Sequence, residues 1–145
     1  MNQLELIQSK IYEIRGQRVM LDFDLAQMYG TETKVLKQAV KRNIKRFPTD
    51  FMFELNKEEF EFLRSQFVTS NQRGGTRYMP FAFTEQGVAM LSSILNSEVA
   101  IEINISIMRA FIAVRQLIAN PPPDKHSLLQ KEVKELKQYI EEIFT

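Results

Sequence analysis

An α+β domain containing a helix-turn-helix and short β-hairpins, followed by long C-terminal helices, is the architecture expected of this 145-residue chain. Three observations lead there. Asp22 and Gly30 bracket a two-turn apolar-periodic run, and Thr33 opens a second, strongly basic run just after the glycine. Short apolar runs near residues 11–21, 51–55 and 78–83 have the length and spacing of strands. After Ser97 about 22 residues pass without Gly or Pro, which is too long for a strand and suits a helix.

In chain order, residues 1–10 carry no clear pattern. Ile11 to Leu21 reads as two short runs, IYEI and RVML, turning at Gly16-Gln17, with an irregular arm as the alternative. Asp22 then stands as the N-cap of FDLAQMY, Gly30 as its left-handed stop, and Thr33 as the cap of the next helix. Ala26 is small where the two helices must approach, and Leu36 is apolar where the second packs back. Helix, glycine turn, helix is the layout of a helix-turn-helix unit.

The second helix is the focus of the chain. Thr33 to Phe47 holds six Lys/Arg and no Asp or Glu. At helical spacing Leu36, Ala39, Val40, Ile44 and Phe47 share one side. Lys34, Lys37, Lys41 and Lys45 share the other, flanked by Gln38 and Arg42. One side wants a protein core and the other wants anions, although a basic face can also be plain solvated surface.

Phe47-Pro48 ends that helix. Phe51, Met52, Phe53 and Leu55 form a short strand, and Asn56 caps KEEFEFLRSQF, whose Phe60, Leu63 and Phe67 form a core stripe. Gly74-Gly75 is the tip of a polar hairpin, with Arg73 and Arg77 beside it and Tyr78, Phe81 and Phe83 returning. A basic hairpin in this place is either a wing over the DNA backbone or a solvated loop.

Thr84 opens a helix that buries Val88, Ala89, Leu91 and Leu95, and Ser97 caps the long one. On the long helix Ile103, Ile107, Ala110, Phe111, Val114 and Leu117 make one face, and Ile101, Ile105, Met108 and Ile112 a second. So broad an apolar girth is expected to be covered from two sides, within the domain or by a second subunit. Pro121-Pro122-Pro123 marks a stiff boundary between a domain at 1–120 and a helix at 124–145. In that helix Leu129, Val133, Leu136, Ile140 and Ile143 follow an a/d heptad pattern, which suits the start of a coiled coil, pairing within a homodimer, or packing back on the domain.

Composition narrows the function classes. Hydrophobic content of 44% and charged content of 26% belong to a folded globular chain rather than a disordered one. A net charge of only +1 means that any phosphate affinity must come from local segregation of charge. The chain lacks cysteine and has one histidine, His126, so thiol chemistry, zinc fingers and histidine catalysis have no material. No phosphate loop or nucleophile elbow is present, and no cofactor or enzymatic activity is expected. No membrane segment or signal peptide is apparent, so a cytoplasmic location is expected.

Several phrases together carry a family likeness: IRGQRVMLDFDLAQMYG, VKRNIKRFPTDFMFEL, GGTRYMPFAFTEQGVAMLSSIL and IEINISIMRAFIAVR. In order and spacing, over roughly residues 9–117, they resemble the phage-type KilA-N DNA-binding domain in its open-reading-frame-six N-terminal branch, a relative of Bro-N. The resemblance implies DNA binding by a prophage-type transcriptional regulator or antirepressor-like protein, with variable C-terminal parts.

The resulting expectation is double-stranded DNA as partner. Helix 33–46 would lie on the major groove, with Lys34, Lys37, Lys41, Lys45 and Arg46 on phosphates and Gln38 and Arg42 on base edges. Asn43 would bond the fold's own backbone, and Arg73 and Arg77 of hairpin 71–77 would add backbone contacts. The alternative is a protein-interaction module that antagonises another regulator through helix 98–119 and the heptad tail. A homodimer through the C-terminal helices fits either reading.

Overall fold

The computed structural model describes residues 2–66, 78–120 and 125–144. It divides into two units, Met1–Ala113 and Val114–Thr145. The first is an α+β domain organised on a four-stranded antiparallel sheet of short strands. Strands β1 (Tyr12–Ile14), β2 (Gln17–Leu21), β3 (Met52–Glu54) and β4 (Phe81–Thr84) lie in the order β1-β2-β4-β3.

Period-2 alternation gives the sheet two faces. Met20 pairs with Phe83 and Phe83 with Met52, and all three join the larger core cluster. The next register down, Leu21–Ala82–Phe53, belongs to the smaller cluster on the other face. The larger cluster is covered by α1 (Gln3–Gln8), α2 (Asp22–Tyr29), α3 (Thr33–Arg42), α5 (Glu85–Ile94) and the first part of α6 (Glu98–Ala119). The smaller one is closed by Phe60 and Leu63 of α4 (Lys57–Ser65).

Residues 1–10, unpatterned by sequence, contain α1. Asn2 caps it by accepting from the Glu5 N–H at 2.7 Å, and Ile7 anchors it in the core. The first hairpin forms where expected, but it turns at Arg15-Gly16 rather than Gly16-Gln17. Both residues have positive φ, 56° and 74°, as a two-residue hairpin turn matching the strand twist requires.

Helix α2 begins at Asp22 itself, with Leu21 in the cap position and no side-chain cap bond. The expected Asp22 cap is therefore corrected: its carboxylate turns into the protein and accepts from the Phe81 N–H at 2.8 Å. Gly30 ends α2 in the left-handed region as expected, with φ 72°. Likewise Glu32, not Thr33, occupies the cap position of α3.

Asn56 and Glu59 form a reciprocal capping box at α4, where Asn56 was expected to cap. Phe67 and the hairpin 71–77 lie outside the described residues. Of the residues expected in the returning strand, Phe81 and Phe83 are in β4, while Tyr78 precedes it and is exposed.

Thr84 locks the start of α5. Its hydroxyl donates to the Asp50 carbonyl at 2.8 Å and accepts from the Gly87 N–H at 3.3 Å, while its own N–H bonds the Phe51 carbonyl. The close pass of Phe51 requires glycine at 87, because a Cβ there would lie 2.0 Å from the Phe51 oxygen. Val88 and Leu91 are buried, but Ala89 is exposed.

Ser97 caps α6 as expected, accepting from the Ala100 N–H at 3.1 Å. Only one of its two apolar faces is covered by the domain. Ile107, Ala110 and Phe111 are buried, whereas Ile101, Ile105 and Ile112 remain exposed. In the second unit, α7 (Lys125–Phe144) is helical where the heptads were read, and Leu129, Val133, Leu136, Ile140 and Ile143 are all exposed.

Candidate nucleic-acid interface

Helix α3 is held by its apolar side. Leu36 and Val40 are fully buried, and Phe47 is buried against Phe83 in an edge-on ring contact. The opposite side presents Lys34, Gln38, Lys41 and Arg42 to solvent, and Lys45 and Arg46 follow in a 3₁₀ turn, Ile44–Arg46.

The helix is shorter than expected. The Asn43 side chain donates from Nδ2 to the Ala39 carbonyl at 2.8 Å, the local backbone bond anticipated for it, and the chain tightens into the 3₁₀ turn. The turn's different angular step rotates Ile44 away from the Leu36–Val40 line. Ile44 is 52% exposed instead of joining the core side.

Lys37 is the main departure. Expected on the solvent face, it is nearly enclosed: its ammonium lies 3.6 Å from Asp22 Oδ2, donates to the Met79 carbonyl at 2.9 Å and sits 4.6 Å from the centroid of the Phe81 ring. Lys37 thus ties α3 to the start of α2 and to the approach to β4. Burial raises the Asp22 carboxyl above its ordinary pKa, opposed by the Phe81 N–H and by Lys37.

The remaining cations are lightly held. Lys34 sits 3.7 Å from Glu32 with both side chains well exposed, and such a pair constrains little. Arg46 donates to the Ser93 hydroxyl at 3.2 Å at the protein surface. Arg73 and Arg77 fall outside the described residues, and among the described ones this surface is formed by α3, the 3₁₀ turn and residues 78–80.

Two residues not singled out by sequence reasoning belong to this surface. Val35 is exposed on the same side as Gln38, three residues on, and Arg42, seven residues on. Tyr78 lies with its ring 5.9 Å from the Lys37 ammonium, and together with Lys34, Val35, Lys37, Gln38 and Lys41 it lines a groove of about 490 Å³. An exposed valine inside a basic stripe was the available signal for the first. Tyr78 had none, since it reaches the groove only through the tertiary fold.

The ORF6N domain family matches residues 9–94. The chain belongs to that family. It is a phage-associated, Bro-N/KilA-N-like family. The matched ORF6N region contains the sheet and α2 to α5, with the α3 surface at its middle, and stops before α6. The likeness read from sequence had extended to residue 117, through the phrase IEINISIMRAFIAVR. No curated protein and no solved structure matched the chain.

Among the described residues no group of three or more His, Asp or Glu could hold a metal ion. No described helix is long and apolar enough to cross a membrane.

Proposed function

We infer that this ORF6N chain binds duplex DNA through α3 as a phage-type transcriptional regulator or antirepressor-like protein, with α2 and α3 acting as a helix-turn-helix. The supporting observation is the division of α3: Leu36 and Val40 are sealed in the core while Lys34, Lys41, Arg42, Lys45 and Arg46 stand exposed on a segment without an acidic residue. Lys34, Lys41, Lys45 and Arg46 serve the phosphates, which fix position. Gln38 and Arg42 face base edges, Gln toward adenine and Arg toward guanine, and Val35 is placed to meet a thymine methyl. Lys37 leaves the set of phosphate ligands, because its charge is spent on Asp22. Arg73 and Arg77 complete the proposal as backbone contacts from hairpin 71–77.

With about four phosphates neutralised per protomer, log K falls against log salt with a slope of about −3 to −4. Fluorescence anisotropy on a pool of random duplexes across a salt series tests this. A flat salt response, or no binding at low salt, overturns it and favours the second reading. That reading is a module that antagonises another regulator through helix 98–119 and the heptad tail, and the exposed apolar residues of α6 and α7 speak for it.

A further inference from the structure

The exposed side of α6 has a shape and a charge order that the DNA-binding reading does not use. Ile101, Ile105, Met108 and Ile112 follow one another at spacings of 4, 3 and 4, the a/d seam of a two-helix coiled coil. The three isoleucines are exposed and Met108 is half-buried, so the seam stands open along two heptads. Over this seam and along α5 runs a groove of about 420 Å³, lined also by Asn104 and Arg109 and, on α5, by the small residues Ala89 and Ser92. Small side chains there leave room for another helix to lie close to the seam. Isolated surface apolar residues are ordinary, but a contiguous row beside a groove marks an interaction surface.

Charge identifies the occupant. The outer edge of the seam carries Glu102 and Arg109, seven residues apart and therefore both at the heptad position called e. Neither has an ion-pair partner among the described residues, and both are exposed. When two copies of one helix pack antiparallel across a two-fold axis, e positions face e positions. Glu102 of one copy then meets Arg109 of the other, and the pair occurs twice by symmetry. Parallel pairing offers these two residues no such match, because there e faces g. A two-fold interface must be self-complementary, and this edge is so in the antiparallel sense alone.

We propose that α6 is the homodimer interface of this protein: the Ile101–Ile105–Met108–Ile112 seam packs antiparallel against the same seam of a second copy, and Glu102–Arg109 pairs set the direction. The apolar layers join Ile105 to Met108 and Ile101 to Ile112 across the axis. The partner is a second copy of this chain, and the proposal stands independently of any DNA contact.

Sedimentation equilibrium on the full chain, with no DNA present, tests it through six proteins. The unsubstituted chain is expected to be a dimer, and Ile105→Glu a monomer with unchanged helical circular dichroism. Glu102→Arg and Arg109→Glu are each expected to weaken dimerisation at least about tenfold, and the double exchange to restore it. The exchanged residues are exposed, so this arm reads the interface even if Ile105→Glu fails to fold. A monomeric unsubstituted chain overturns the proposal. So does a dimer that survives Ile105→Glu but dissociates with Leu136→Glu, which would assign the contact to α7. Single exchanges without effect overturn the antiparallel pairing.

Discussion

Lys37 lies on the basic helix, yet its ammonium is 3.6 Å from the carboxylate of Asp22, a residue with 1% exposure. The pair separates two kinds of cation within one helix. Lys37 is expected to act on stability, while Lys41 and Arg42 act on DNA. Replacing Lys37 with methionine leaves a buried carboxylate without its counter-charge. At this N···O distance the low end of the usual range applies, a loss of about 3 kcal/mol in urea unfolding. A loss within experimental error would show that backbone N–H groups, those of Phe81 and Phe23, hold Asp22 without Lys37.

The complementary experiment concerns the exposed cations. Lys41→Ala and Arg42→Ala remove charge from exposed side chains. Thermal midpoints should stay close to that of the parent, as for most surface substitutions. Lys41→Ala should lower affinity for all duplexes alike and flatten the salt slope by about one unit. Arg42→Ala should instead cost about 1–3 kcal/mol on preferred sequences and relax the preference. Equal losses on every sequence would move Arg42 from the bases to the backbone.

Gly87 is a steric requirement rather than a conformational one. Alanine there would place its Cβ 2.0 Å from the Phe51 carbonyl oxygen, and backbone cannot swing aside as a side-chain end can. Displacing it would disturb the bonds that Thr84 makes to Asp50 and Phe51. A destabilisation of about 3 kcal/mol, at the upper end for overpacking, is expected for Gly87→Ala. Gln86→Ala, one residue earlier and exposed, is the control that should change little.

Much of this arrangement is legible locally. The Arg15-Gly16 hairpin, Gly30, the Asn56 box and the Thr84 and Ser97 caps are decided by a few neighbouring residues, and each falls within a residue of where pattern places it. Lys37 escapes such reading because spacing tells which side of a helix a residue occupies, not what another segment brings there. Asp22, Met79 and Phe81 reach Lys37 only once the sheet has formed. Tyr78 enters the candidate groove for the same reason. Ile44 fails differently, since one side chain, Asn43, changes the angular step on which the apolar line depended.

Arg15 and Glu59 provide a pH-dependent contribution with a definite sign. The Arg15 guanidinium donates twice to the Glu59 carboxylate, at 2.8 and 2.9 Å, and stacks 4.4 Å from the Phe53 ring centroid. Those bonds hold the Glu59 pKa below its ordinary value of 4.5. The folded state therefore binds this proton less tightly than the unfolded state. The stabilisation is full above the ordinary value and is lost as pH falls through the lowered one. Arg15→Gln should remove the larger part of that dependence and leave the part due to the Asn56 N–H, so the stability gap between parent and variant narrows on acidification. A gap that stays constant from neutral pH into acid would assign the Arg15 contribution to its stacking on Phe53 and its bond to the Glu54 carbonyl instead.

Tyr29 and Asn104 connect α2 to α6 through a buried hydrogen bond from the phenol to Oδ1. Burial raises the phenol pKa, so the bond persists through the alkaline range where exposed tyrosines ionise. Asn104 Nδ2 has no partner among the described residues, so the amide is already under-satisfied. Tyr29→Phe would strip its remaining bond. Leaving that acceptor buried and unmet should cost about 1–3 kcal/mol. Because the deficit would lie in the amide, adding Asn104→Leu to Tyr29→Phe should recover most of it, as replacing both partners by apolar groups often does. Two losses that simply add in the double variant would mean that packing around each side chain, rather than the hydrogen bond, joins α2 to α6.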